Sequence, residues 1–370
     1  MSQNTLRDMT EKTNILDYDR KSLESYFIEM GDKSFRAQQV LKWIYHQGAV
    51  DFSSMTNLSK VLRAKLEQNT CISPPKIISE QKSEDGTRKW LLQIDGGNSI
   101  ETVFIPENDR GTLCISSQVG CPLECKFCST GQQGFNRNLS TAEIIGQVWA
   151  ANKALGYFEN DKRIITNIVF MGMGEPLLNY DNVLKAINLL TDDLGFGLAR
   201  RRVTVSTSGI IPEIDRLKED TNVSLAISLH ASNNELRNDI VPINRSYPMR
   251  DLLAACKRFT QARDEEPITI EYVMLRDVND SLQDAHDLVE CLRGIPAKVN
   301  LIPFNSFPGT NYNCSEVKTI NAFRDILVKS KLITITRKTR GDDIDAACGQ
   351  LVGKVAAKAA RHQKNQVELN

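Results

Sequence analysis

The sequence predicts an α/β fold, a partial parallel (β/α)6-type barrel with an N-terminal helical accessory domain. Three observations carry that expectation. Short apolar runs recur from Gly111 onward, amphipathic stretches of helical period fall between most of them, and polar or glycine-rich segments stand at the ends of the runs. Repeated strand-helix units demand a mostly parallel sheet with right-handed crossovers, and at this number a full or partial barrel is the natural closure.

Residues 1–14 are polar and read as a loose terminus. Residues 15–88 read as the helical accessory domain, in which Leu16 to Asn69 carries Phe27, Val40, Leu41, Ile44 and Leu62 at helical spacings. Residues 89–110 read as a hairpin extension: Lys89 to Ile94 and Ser99 to Ile105 flank the turn Asp95-Gly96-Gly97-Asn98, and Glu101 lies on the second strand. The barrel is assigned to 111–345. Its strands are expected near Thr112 to Ser116, Asn167 to Met171, Arg202 to Ser206, Ser224 to Ser228, Thr269 to Leu275, Lys298 to Ile302 and Ile333 to Arg337. Helices are expected at Thr141 to Leu155, Tyr180 to Leu190, Met249 to Arg263 and Ser281 to Leu292. Residues 346–370 form a loop around Cys348 and a basic tail.

With 370 residues, 41% of them apolar and 25% charged, the chain has ample material for a core. It carries no stretch of membrane-spanning length, and its polar start resembles neither signal peptide nor anchor, so a cytoplasmic protein is expected. Nine irregularly spaced cysteines fit a reducing compartment better than a disulfide framework. Cys71, Cys256, Cys291 and Cys314 carry no motif and read as incidental thiols. Cationic and anionic side chains balance at 46 each, so any RNA contact must rely on local patches. Candidates are Arg200-Arg201-Arg202, Arg337-Lys338-Thr339-Arg340, and the tail with Lys354, Lys358, Arg361 and Lys364.

The most informative motif is GCPLECKFCSTG, with Cys121, Cys125 and Cys128 spaced by three residues and then two. Three thiolates so close can hold three irons of a cubane cluster and leave the fourth iron open to chemistry. A structural zinc site is the alternative, with Cys114 as a conceivable fourth ligand. The trio follows the first barrel strand. Gly172-Met173-Gly174-Glu175-Pro176 follows the second, Ser206-Thr207-Ser208-Gly209 the third, Ser228-Leu229-His230 ends the fourth, and Pro303-Phe304-Asn305 ends the sixth. Five polar or glycine-rich segments therefore converge on one rim, where barrel active sites lie.

These residues resemble the radical S-adenosylmethionine (SAM) superfamily. More narrowly, FMGMGEPLLNY, RRVTVSTSG, SLHASNNELRNDIVPIN and RKTRGDDIDAACGQL resemble its RlmN/Cfr family of RNA adenine methyltransferases, over about Leu16 to Val352. The resemblance implies that Cys121, Cys125 and Cys128 ligate a 4Fe-4S cluster whose open iron is chelated by SAM. Gly174, Glu175, Ser206, Ser228, Leu229, His230 and Asn305 would bind SAM. Adenine C2 is electron-poor and cannot attack a SAM methyl directly, so the family first places a methyl group on a cysteine, here Cys348. A second SAM is cleaved to a 5′-deoxyadenosyl radical that takes hydrogen from this S-methyl group, and the carbon radical adds to the ring. Glu101 would accept the C2 proton, and Cys114 would attack the Cys348 sulfur, leaving a disulfide to be reduced.

The implied substrates are 23S ribosomal RNA and transfer RNA, in the latter the adenine 3′ of the anticodon. The implied electron donor is a flavodoxin with its reductase, and a monomer is expected. Gly341 and Gly349 suggest that the Cys348 loop moves. Two other readings share these motifs in part: methylation at adenine C8, as in the Cfr branch, and a non-enzymatic RNA-binding protein with a metal centre.

Overall fold

The structure, a computed structural model, describes residues 12–160 and 162–353. Ten strands form its main sheet: β1 Lys76–Lys82, β2 Arg88–Gln93, β3 Ser99–Glu107, β4 Arg110–Cys114, β5 Asn167–Phe170, β6 Val203–Thr207, β7 Ser224–Ser228, β8 Ile268–Met274, β9 Ala297–Pro303 and β10 Ile333–Thr336. They lie side by side in chain order. The first three pairings are antiparallel and all those from β4 to β10 are parallel. An unbroken order has no switch point, so every crossover falls on the same side and the sheet curls as in a barrel. It does not close, because β1 and β10 each have one sheet neighbour.

The parallel strands are almost wholly apolar where the sheet is covered. Ile168, Val205, Leu225, Ile227, Ile270 and Val299 are buried in one continuous core. The strands β2 and β3, expected as a separate hairpin, continue this sheet, with Val103 opposite Cys114 across the β3–β4 pairing. Strand β1 falls in a stretch read as helical. All seven of its residues are exposed, so it offers none of the apolar alternation by which a strand is recognised.

The accessory helices Arg20–Glu29, Arg36–Tyr45 and Lys60–Asn69 bury Leu23, Phe27, Val40, Leu41, Ile44, Leu62 and Leu66. Asp19 caps the first by accepting from the Ser22 amide at 2.9 Å, and Ser59 caps the third through Leu62 at 3.1 Å. Thr13–Asn14, within the stretch expected to be loose, pairs in parallel with Thr70–Cys71, and the Asn14 side chain bonds to Ser73. This module sits on the helix Thr141–Ala154, where Trp149 Nε1 donates to Ile44 O at 3.1 Å and the Ala142 amide to Asp17 at 2.7 Å. That explains why twelve consecutive residues of the helix are buried: one face packs on the sheet and the other on the module. Among the described residues no helix is long and apolar enough to cross a membrane. The basic tail from Lys354 lies outside the described residues.

Candidate active site

The C-terminal ends of the parallel strands open into one cleft of about 950 Å³, solvent at its mouth included. That is the size of pocket that takes a nucleotide-sized ligand. Cys121, Cys125, Cys128, Gly174, Glu175, Ser206, Ser228, His230 and Cys348 all line it.

The cysteine loop is fixed by its own backbone. Gln118–Gly120 pairs with Phe135–Asn138, the Cys121 amide donates to Gly134 O at 3.1 Å, and the Cys128 amide donates to Cys125 O at 3.1 Å. Gly120 has φ +74°, and a Cβ there would overlap the Gly134 carbonyl, so the turn requires glycine. Burial pushes all three thiols up, Cys125 to about 12, and their mutual repulsion adds to it. Among the described residues no three His, Cys, Asp or Glu side chains converge tightly enough to hold a single metal ion. A cubane instead takes one thiolate at each of three iron corners, and three cysteines sharing one wall of the cleft fit that demand.

The segment after β5 packs against the same loop. The Ser117 amide donates to Met173 O at 2.8 Å and the Glu175 amide to Gln118 Oε1 at 2.9 Å. Gly174 has φ +99°, and a Cβ there would stand 2.5 Å from that of Gln118. Glu175 accepts from the amides of Ser208 at 2.8 Å and Leu177 at 3.1 Å, while burial raises it to about 7. Its carboxylate thus already holds two strand ends together. Ser206 and Ser228 face each other with Oγ atoms 3.5 Å apart. His230, at φ +61°, accepts from the Val273 amide through Nδ1 at 3.1 Å. Burial, reinforced by the charge of Arg237, lowers it to about 3, so it is a neutral imidazole with Nε2 as donor.

Leu229 and Asn305 stand behind the cleft wall. Leu229 is fully buried and bonds through its backbone to Glu271 and Arg237. Asn305 donates from Nδ2 to Cys348 O at 3.3 Å and accepts from Thr339 Oγ1 at 3.2 Å, so its side chain holds the Cys348 segment.

That segment is held from three sides. Ser129, at the cysteine loop, donates to Gly349 O at 2.7 Å, and Gln350 Nε2 donates to Ser306 O at 2.9 Å. Asp85 accepts from the Gly341 amide at 3.2 Å, and Glu101 from the Val352 amide at 2.8 Å. Cys348 itself is exposed, but to the cleft. Its surroundings push the thiol up by burial, while the Arg337 guanidinium pulls it down. Cys114, at the end of β4, is pushed up to about 12 by burial, by the charge of Cys348 and against the pull of Arg337. Both thiols thus feel the charge of one arginine, and both are free, like the other seven cysteines.

Of the expected RNA contacts, Arg337 turns inward to Glu271 at 3.8 Å, and Arg340 pairs with Asp85 at 3.7 Å. Arg200–Arg202 precedes β6 and so lies at the opposite end of the strands from the cleft. Two residues escaped notice in the sequence. Fully buried Arg237 donates to the carbonyls of Ser208 at 2.6 Å, Ser228 at 3.1 Å and Leu229 at 3.0 Å, and to Asn244 at 2.8 Å. Glu271, in the otherwise apolar run ITIEYVM, lines the cleft with one carboxylate oxygen unbonded. A lone charge in a core strand was the available signal.

Residues 13–72 match the model of the ribosomal RNA large subunit methyltransferase N-terminal domain, and residues 115–289 that of the radical SAM superfamily. A crystal structure of a radical SAM methyltransferase from Sphaerobacter thermophilus is 42% identical, with a TM-score of 0.85, covering 92% of this chain and 99% of that one. The chain belongs to the radical SAM methyltransferases. Streptococcus suis SuiB, solved bound to S-adenosylmethionine, is 13% identical with a TM-score of 0.45, covering 64% of this chain and 55% of that one. As a radical SAM methyltransferase with this N-terminal domain, the protein is a SAM-dependent RNA methyltransferase whose superfamily carries a 4Fe-4S cluster.

Proposed function

We propose that this radical SAM methyltransferase methylates C2 of a specific adenine in 23S ribosomal RNA and, in transfer RNA, the adenine 3′ of the anticodon, through a methyl group carried on Cys348. The observation that carries the reading is that Cys348 and Arg337 line the same cleft as the cysteine trio, with Cys114, remote in sequence, at the end of the neighbouring strand β4. A bound 4Fe-4S cluster would supply the electron that cleaves SAM, with Cys121, Cys125 and Cys128 as its ligands.

The chain's own residues do the rest. Cys348, as thiolate, attacks the methyl carbon of one SAM, forming S–CH3 while the sulfonium C–S bond breaks with its electron pair leaving on S-adenosylhomocysteine. Arg337 favours that ionised form against the burial that opposes it. Once the carried carbon is bonded to the ring, Glu101 takes the C2 proton. Cys114 attacks the Cys348 sulfur; the S–S bond forms, the S–C bond breaks with its electron pair going to carbon, which takes up a proton to become the ring methyl group, and the odd electron left by radical addition would return to the bound cluster. The disulfide then needs two electrons from outside, for which a flavodoxin with its reductase is suited. Two SAM are consumed per turnover, one as methyl donor and one as radical source. Adenine must leave its stack to reach the cleft, so a loop or partly folded RNA is the substrate.

Nucleoside mass spectrometry of RNA treated with reduced protein and SAM tests this. 2-Methyladenosine is expected from the wild type and none from Cys348→Ala. Product from the variant would overturn the methyl-cysteine route, 8-methyladenosine would move the reaction to C8, and a colourless zinc-loaded protein that leaves SAM intact would favour a non-enzymatic RNA-binding role.

A further inference from the structure

Lys89 is a buried cation near the start of β2, its side chain 8% exposed. A lysine so placed needs an anion and a carbonyl to offset its lost hydration, and it has both. Its Nζ stands 3.3 Å from Glu101 Oε1 and donates to Asp345 O at 3.2 Å. The register explains the first contact: Leu91 lies opposite Glu101, so Lys89, two residues along, is the diagonal neighbour on the same face. The second contact reaches the segment that carries Cys348, three residues further on. Glu101 Oε2 meanwhile accepts from the Val352 amide at 2.8 Å, on the other side of the same cysteine.

We propose that Lys89 is a positioning residue for Glu101, registering the proton acceptor against the Cys348 segment and keeping it ionised. This rests on the methyl-cysteine reading above. Holding the strands together does not require such a pair, since a buried ion pair is commonly no more stabilising than an apolar pair of similar volume. Proton acceptance does require it. Burial drives the Glu101 carboxyl up, and Lys89 with the Val352 amide oppose that rise. Asp345 is the further charge that faces it, and it adds to the rise. The C2 proton would pass to the Glu101 carboxylate, the C–H electron pair staying with the ring.

The test compares full-length, cluster-loaded wild type, Lys89→Met and Lys89→Arg, with an RNA transcript holding the target adenine in a loop. Three quantities are read: methyl on Cys348 by peptide mass, covalent protein–RNA adduct on denaturing gels, and the pH dependence of adduct decay. Lys89→Met should carry methyl on Cys348 as the wild type does. Its adduct should decay about tenfold more slowly, with the acid limb of the decay shifted up by roughly one pH unit, because removing the cation lets the Glu101 pKa rise. Lys89→Arg should restore most of the rate. An unchanged acid limb in Lys89→Met would overturn the proposal, as would equal loss of Cys348 methylation and adduct decay, which marks mere damage to the fold. Wild type without methyl on Cys348 would overturn the underlying reading as well, and shows it without any Lys89 variant.

Discussion

The loop of Cys121, Cys125 and Cys128 and the segment of Cys348 face one cleft, yet they are held in opposite ways. The loop is fixed mostly by partners near it in sequence, a two-stranded pairing, the Gly134 carbonyl and its own backbone, with the Lys126 amide to Ile240 O at 3.1 Å as a bond from afar. The Cys348 segment depends on partners from distant parts of the chain, among them Asp85, Lys89, Glu101, Ser129, Asn305 and Ser306. Single hydrogen bonds of this kind are worth about 1 kcal/mol each, so they can be exchanged one at a time. A cluster cradle must stay fixed, whereas the methyl carrier proposed for Cys348 would have to meet a SAM and then a base. Local closure suits the first task and distributed tethers suit the second.

The largest expected effect comes from striking the local region. Cys125→Ala should abolish the cluster, read as loss of iron and of brown absorbance, together with SAM cleavage. The Cys348 segment should keep wild-type amide exchange, because its bonds to this region come from Ser129, Thr130 and Gln133, which follow the cysteine trio rather than lie within it. Faster exchange across 341–353 in that variant would break the comparison, showing that the segment leans on the cluster loop.

Arg237→Met should come next. The arginine belongs to neither region, but it gathers the carbonyls of Ser208, Ser228 and Leu229 at the rim. Its loss leaves buried carbonyls unpaired, and a stability decrease of about 3 kcal/mol is expected in urea unfolding. A decrease below about 1 kcal/mol would mean that water replaces the guanidinium and that the rim is less dry than its burial implies.

The same contrast governs what could be read from sequence. The cysteine loop was legible because its ligands are spaced within one motif, and the strand-end segments because period and punctuation locate strand ends. The seven parallel strands appeared where apolar runs were seen. Strand β1 did not, being exposed throughout, and neither did the continuity of β2 and β3 with the barrel, which depends on Val103 finding Cys114. Motifs marked Cys114 and Cys348 as candidates, but no spacing encodes that Arg337 turns inward to Glu271 and acts electrostatically on both thiols. The resemblance implies a SAM role for Asn305, whose side chain here donates to the Cys348 carbonyl. Tethers between distant segments leave no local period, so they emerge only when the fold is assembled.

The smallest effect tests one tether by titration. Burial alone would raise Asp85, but bonds from Thr87, Ser83 and the Gly341 amide outweigh it and hold the carboxyl at about 2, below its ordinary 3.8. A depressed carboxylate stabilises the fold above its unfolded pKa and loses that contribution as pH falls through its folded one. The stability difference between wild type and Asp85→Asn should therefore be full near neutrality, begin to shrink below about pH 4 and vanish toward about pH 2. Solvent screening keeps it below about 1 kcal/mol. The Gly341 amide should exchange severalfold faster in the variant while β5 to β8 are unaffected. Equal exchange at Gly341 would mean that Asp85 serves its own turn, leaving Lys89 and Glu101 as the tethers of the Cys348 segment to the antiparallel strands.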